Sequence, residues 1–214
     1  DEAGQIWLVD RGANHVARFD ADGNFLGDLG QIWISGVNNN TFSGPEGIAF
    51  DSAGNIYVSD SNNHRVQVYD STGGWINTIG VTNVPGSGNE YFNYPRHIAM
   101  DQDDQLYVAD GNNHRVQIFD VSQPLTITLT TSLGVSGLPG SGNNRLNNPA
   151  GVAVDASRIY VADQGNSRVQ IFDRQTRGYL DTLAAPGSGE EQFLSPTDVA
   201  VDSAGNLFVV DHEQ

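Results

Sequence analysis

The run Pro45-Glu46-Gly47-Ile48-Ala49-Phe50-Asp51-Ser52-Ala53-Gly54-Asn55-Ile56-Tyr57-Val58-Ser59-Asp60-Ser61-Asn62-Asn63-His64-Arg65-Val66-Gln67-Val68-Tyr69-Asp70 decides how this chain is read. Short apolar, β-branched and aromatic stretches punctuated by Gly, Asn and Asp are strand signals. Strand a is Gly47-Ile48-Ala49-Phe50, strand b is Ile56-Tyr57-Val58-Ser59 and strand c is Val66-Gln67-Val68-Tyr69. The turn Asp70-Ser71-Thr72-Gly73-Gly74 then leads into a strand d, Trp75-Ile76-Asn77-Thr78-Ile79. One unit therefore reads as four strands.

The unit recurs on both sides. Strand b returns as Gln105-Leu106-Tyr107-Val108-Ala109-Asp110, Ile159-Tyr160-Val161-Ala162-Asp163 and Asn206-Leu207-Phe208-Val209-Val210-Asp211, and Gln5-Ile6-Trp7-Leu8-Val9-Asp10 opens the series. The closing aspartates at 10, 60, 110, 163 and 211 are spaced by 50, 50, 53 and 48 residues. A period of this length marks a repeat architecture, in which each unit buries its apolar faces only by stacking on neighbours. Four short strands per unit predict an all-β chain, a β-propeller of four-stranded antiparallel blades. It forms one domain with blades at approximately 1-30, 42-80, 92-134, 147-184 and 193-214, about four and a half in all. The near-continuous apolar character of strands a and b predicts burial on both faces.

The stretch from Pro45 to Asp70 resembles an NHL repeat. Asn63-His64-Arg65 matches the step that names the family, Asn113-His114-Arg115 repeats it, Asn166-Ser167-Arg168 varies it, and the first blade departs to Ala13-Asn14-His15. The resemblance runs through essentially the whole chain. NHL propellers usually close with six blades, so it implies that about 70 to 80 further residues complete the ring. Those strands would come from the rest of a longer chain or from another chain. The family also contains a peptidyl-hydroxyglycine lyase, and related propellers include metal-dependent lactonases, so the resemblance admits an enzyme with a metal at its channel mouth.

Charge narrows the partners. The net charge is -16, from 26 acidic and 10 basic residues, and every basic residue is Arg. Nucleic acids and anionic membranes are bound through Lys and Arg, so neither is an expected partner. No stretch approaches the roughly 18 apolar residues that span a bilayer, and no leader is recognisable at the start of the sequence. The absence of Cys removes disulfides and thiolate chemistry. The acidic, Lys-free composition suggests an extracellular, periplasmic or cell-surface protein.

Candidate side chains fall into two groups. Arg65, Arg115 and Arg168 are expected to pair with Asp60, Asp110 and Asp163 inside their own blades, and Asn63 and Asn113 to order the turn from strand b to strand c. His64 and His114 sit a full blade apart on the outer part of the fold, so they are not joint metal ligands. The residues just after the recurring Pro are different, because strand a begins at the axis: Glu46, Arg96, His97 and Asp198 converge there as candidate ligand-binding residues. His97 is the candidate metal ligand, with Ca or Zn as the alternative to no cofactor. Asp20-Ala21-Asp22-Gly23 and Asp101-Gln102-Asp103-Asp104 lack the distal Glu of a calcium loop and read as turns. The Pro-Gly-Ser-Gly loops at 85-88, 139-142 and 186-189 are not phosphate cradles, since no Lys or helix follows.

With no nucleophile elbow or repeated catalytic set, the expectation is a non-catalytic binding or scaffold module that presents its loop faces to a protein or glycan. A metal-dependent lyase or lactonase-like hydrolase at the channel mouth is the alternative.

Overall fold

Each repeat folds as an antiparallel meander whose turns are made by the residues the pattern singled out. The computed structural model describes residues 1, 3–187, 189 and 192–212. Ser188 of the last Pro-Gly-Ser-Gly loop and Glu213-Gln214 of the last blade lie outside these residues. The first blade contains β1 (Ile6–Asp10), β2 (His15–Phe19) and β3 (Phe25–Gly30). The second contains β4 (Pro45–Phe50), β5 (Ile56–Asp60), β6 (Arg65–Tyr69) and β7 (Trp75–Gly80), in that spatial order. The third repeats it with β8 (Pro95–Met100), β9 (Gln105–Asp110), β10 (Arg115–Asp120) and β11 (Thr128–Gly134). The fourth does so with β12 (Gly151–Val154), β13 (Arg158–Asp163), β14 (Arg168–Asp173) and β15 (Tyr179–Leu183). A short parallel pair, β16 (Ala185–Pro186) and β17 (Gln192–Phe193), precedes a last sheet of β18 (Pro196–Val201) and β19 (Leu207–Asp211).

The aspartates that open the turns hold them. Asp51 Oδ1 accepts from the backbone N–H groups of Ala53 and Asn55, and Asp20 does the same for Asp22 and Asn24. Asp101 likewise accepts from the N–H groups of Asp103 and Gln105, with Arg174 bridging Asp101 and Asp103. Both calcium-like stretches are thus turns closed by their own backbone.

The cores lie between blades. Tyr57, Val66, Val68 and Ile79 of the second blade pack with Phe92, Leu106, Val108 and Phe119 around the third. Tyr107, Val116, Ile118 and Leu133 do the same with Leu146, Val152, Ile159 and Val161 around the fourth. Alternate residues of β5 serve opposite neighbours: Ile56 and Val58 join the cluster with Val16 and Phe42, while Tyr57 joins the one with Leu106. Each such side chain contributes roughly 1.5–3 kcal/mol on burial. Where no neighbouring blade is present among the described residues, Ile6 and Leu8 of β1 and Phe208 and Val210 of β19 stay exposed.

Strand b meets the expectation of two-sided burial where a blade lies on each side, with all five residues of β5 buried. Strand a meets it in β12, buried from Gly151 to Ala153, whereas β4 alternates between buried and half-buried positions: its Ile48 and Phe50 face Trp7 and Val9 of the first blade, whose sheet has three strands. The innermost strands approach closely. A Cβ added at Gly151 would stand 2.7 Å from Asp198 Cα, so only glycine fits between β12 and β18.

Candidate functional site at the loop face and channel mouth

The loops that run from strand d of one blade to strand a of the next gather on one face, and buried arginines hold them there. Arg65 Nε donates to Asp60 at 2.8 Å, as the sequence predicts. Its other N–H groups go to backbone carbonyls of the preceding connection, Val37 at 2.9 Å, Asn38 at 2.9 Å and Thr41 at 3.2 Å, and to the Thr82 hydroxyl of the following one at 3.2 Å. Arg115 repeats this with Asp110, Ser87, Gly88 and Tyr91, and Arg168 with Asp163, Ser141, Gly142 and Arg145. Asn63 donates to Asp60 and also to Gly36 O, so the turn residue too reaches into the loop. Burial pushes the Asp60 and Asp110 carboxyls up, and their N–H partners oppose it. The ion pairs therefore fix the loop face as well as their own blades.

His64 and His114 lie at the blade seams and not on the outer part of the fold. Each caps a short 3-10 turn in the left-handed conformation, and Asn14 and Ser167 share that backbone in their own repeats. From there His64 Nδ1 accepts the Tyr94 N–H at 3.1 Å and His114 Nδ1 accepts the Asn148 N–H at 3.0 Å. Asn14 does the same for the Gly44 N–H at 2.8 Å, while Ser167 donates to Leu194 O at 2.7 Å. An accepting Nδ1 requires a neutral imidazole. Burial holds both histidines below the ordinary value of 6.5, with Asp163 pulling His114 partly back up.

A pH dependence follows. With the folded pKa depressed, the two seams contribute fully above about pH 6.5, the unfolded value. Their contribution is lost as pH falls towards the folded pKa, because the unfolded chain takes up the protons first. The double variant His64→Asn/His114→Asn, built on the example of Asn14, is expected to lose less stability between pH 7.5 and 5 than the unmodified chain. Urea unfolding at both pH values checks it, and identical pH profiles would contradict the seam assignment.

The residues after each Pro meet at the channel mouth, around a cavity of 370 Å³ lined by Val9, Arg11, Pro45, Glu46, Tyr94, Arg96, His97, Ala150 and Thr197. His97 Nδ1 lies 3.1 Å from Asp198 Oδ1, so the third and fifth sheets are bridged across the side-chain-free Gly151 of the fourth. Burial pushes the Asp198 carboxyl up and His97 draws it back. Glu46 faces the other way, 3.3 Å from Arg11 Nε. Arg96 Nη1 donates to Gln164 at 2.9 Å. Glu46, His97 and Asp198 are thus not gathered around one point, and no three His, Asp or Glu among the described residues stand together as a metal cage.

Two further residues, Arg11 and Tyr94, line the mouth. Arg11 hydrogen-bonds the Tyr94 hydroxyl, and Tyr94 carries both arginine guanidiniums over its ring, Arg11 at 5.9 Å and Arg96 at 5.7 Å from the centroid. Aligning the repeats at the residue after the closing Asp of strand b gives Arg11, Ser61, Gly111 and Gln164, and the residue before Pro gives Gly44, Tyr94, Asn148 and Ser195. Those two columns carry the signal.

Antiparallel four-stranded sheets stacked side by side, with their innermost strands around an axis and their long loops on one face, define a β-propeller, here in part. Three of its repeats match the NHL repeat family model, at residues 42–69, 92–119 and 146–172. The fold is similar to that of a catalytically inactive virginiamycin B lyase from Staphylococcus aureus with quinupristin, at TM-score 0.65 and 16% identity over 98% of this chain and 60% of that one. A nidogen/laminin complex chain matches at TM-score 0.68 and 20% identity, covering 98% of this chain and 68% of that one. An auxiliary nutrient binding protein from Bacteroides thetaiotaomicron matches at 0.59 and 17%, covering 97% and 64%. The chain spans about three fifths of the length of the lyase, 60%. At these identities the likeness is one of fold, which does not carry function with it.

Proposed function

We propose that this β-propeller is a binding module that presents its loop face to a protein partner. The observation that carries the reading is the connection from β3 to β4. Between Asp28 and Glu46 no residue is charged, in a chain of net charge -16. Within that stretch Ile32, Trp33, Ile34 and Val37 are exposed, and Trp33 is 75% accessible. Trp33 also sits in the left-handed conformation at φ 63, where the equivalent residues are Asn83 and Gly137. Each of the three donates its N–H to the matching carbonyl, of Ala13, Asn63 or Asn113. A tryptophan held exposed in a backbone conformation that suits Asn or Gly is an outlier of the kind found at functional positions. Apolar, charge-depleted surface with an aromatic anchor is the composition of an interface core. Ile34, Val84 and Leu138, at one repeat position, extend the apolar character along the rim.

The arginine clamps support the same reading, since a loop ordered before binding loses less entropy on association. That one structural neighbour is a nidogen/laminin complex agrees with a propeller engaging a protein.

The test is a protein array probed with this chain, followed by affinity measurements on the selected partner. Trp33→Ala is expected to weaken binding about 30-fold, the size of a central aromatic hot spot. Unchanged affinity would remove the loop from the interface. Selection of glycans in place of proteins would replace the partner class. The His97–Asp198 pair gives a second reading, an acid–base site; turnover of quinupristin that disappears in His97→Ala would establish it over the first.

A further inference from the structure

The carboxylates at the mouth are taken by other groups: Glu46 lies 3.3 Å from Arg11 and Asp198 3.1 Å from His97, whereas Arg96 has no carboxylate within ion-pair distance among the described residues. Among the described residues its one hydrogen-bond partner is the neutral Gln164 side chain. Its Nε is buried and makes no hydrogen bond, and neither does the buried Oδ1 of Asn148. These two atoms lie 3.1 and 3.2 Å from the place where a Cβ on Gly111 would stand. Pairing them would satisfy one donor and leave the charge uncompensated. A second guanidinium, that of Arg11, shares the same tyrosine ring. Arg11 is exposed and Arg96 half-buried, so an anionic ligand in the cavity can reach both guanidiniums. Tyr94 itself is held at φ 64, with Gly44 and Asn148 in the equivalent left-handed positions, so the ring is placed here against its backbone preference.

We propose that the channel mouth binds a small organic monocarboxylate, its carboxylate received by Arg96 with Arg11 beside it and its body lying against Tyr94. The planar guanidinium fork matches a carboxylate in two parallel hydrogen bonds. Val9, Pro45 and Ala150 give the cavity an apolar wall, and 370 Å³ is the size of a small-ligand site. Glu46 and Asp198 flank the position, so a second negative charge on the ligand is repelled. That separates a monocarboxylate from inorganic phosphate, which is largely dianionic above neutral pH. The site is distinct from the apolar loop around Trp33 and stands or falls independently of it.

The experiment is a heteronuclear NMR titration of the chain at constant ionic strength and pH 7.5, with benzoate, acetate and inorganic phosphate as probes. Benzoate is expected to give saturable shifts at Tyr94, Arg96 and His97, and to bind more tightly than acetate or phosphate. Arg96→Gln is expected to weaken benzoate at least about tenfold, in line with the loss of a charged hydrogen bond. Arg96→Lys, which keeps the charge without the fork, falls between the two. Arg11→Gln, which leaves Gln164 and its contacts in place, weakens benzoate by a smaller factor and guards against a folding defect in the Arg96 variants. The absence of saturable shifts with benzoate would overturn the proposal. So would equal or tighter binding of phosphate, or an affinity unchanged in both Arg96→Gln and Arg11→Gln.

Discussion

Replacing Arg115 by Ala is expected to lower the unfolding free energy by about 3–5 kcal/mol, the scale of breaking a buried ion pair from one side. Arg115 is 2% exposed and Asp110 fully buried. The substitution strands the Asp110 carboxylate, which keeps only the N–H groups of Asn93 and Asn113 as close partners. It also removes the donors that hold the carbonyls of Ser87, Gly88 and Tyr91, so the 81-94 connection loosens together with the blade. The double variant Arg115→Ala/Asp110→Asn is expected to be less destabilised than the sum of the two single variants, because the second change neutralises the stranded charge. Urea unfolding of the four chains measures this. A loss below about 1 kcal/mol in Arg115→Ala would mean that the pair behaves like an exposed salt bridge.

Phe92→Ala is the second large effect, about 3–5 kcal/mol for emptying a buried aromatic site. Phe92 closes the same connection from the opposite end. It is buried in the cluster with Ile79, Leu106 and Phe119, in edge-to-face contact with Phe119 at 5.8 Å. Its ring fills the space beside Gly80, where an added Cβ would come within 2.8 Å of it. The repeat supplies an internal control, since Leu146 occupies the equivalent position in the next blade and is equally buried. Phe92→Leu should therefore cost less than half of what Phe92→Ala does, as a change that preserves most of the volume. Equal losses for the two substitutions, read from thermal and urea unfolding, would show that the ring's shape and not its volume is what the seam requires.

Much of this architecture is written in periodic positions. The five closing aspartates, the turn residues and the Asp60–Arg65 type of pair can be read because each recurs at a fixed spacing, and any one of them alone would say little. What the arginines do beyond the aspartate has no such signature, for their other acceptors are backbone carbonyls of loops that differ in sequence. The same holds for His64 and His114, whose partners are the N–H groups of Tyr94 and Asn148. Glu46, Arg96, His97 and Asp198 are visible as a set because strand a begins at the axis. Which of them touch is not visible, since it depends on how tightly the inner strands curl. The His97–Asp198 contact exists because Gly151 contributes no side chain between them. Arg11 stands outside that set because it follows strand b and not the Pro of strand a, in a blade whose Ala13-Asn14-His15 step departs from the pattern. Trp33 was legible only as part of a variable loop; its left-handed backbone and exposure are properties of the folded chain.

A loop face built rigid before any partner arrives shows itself in amide hydrogen exchange across residues 81-94 and 135-149 of the free chain. Slow exchange is expected at Gly86 and Gly140, whose N–H groups donate to Phe92 O and Leu146 O beneath the clamped loops, and at Tyr94 and Asn148 on the histidine seams. Exchange of these amides at the rate of an unstructured peptide would show that the loop face is not prebuilt, because loops that open freely are not held by the arginines and histidines placed beneath them.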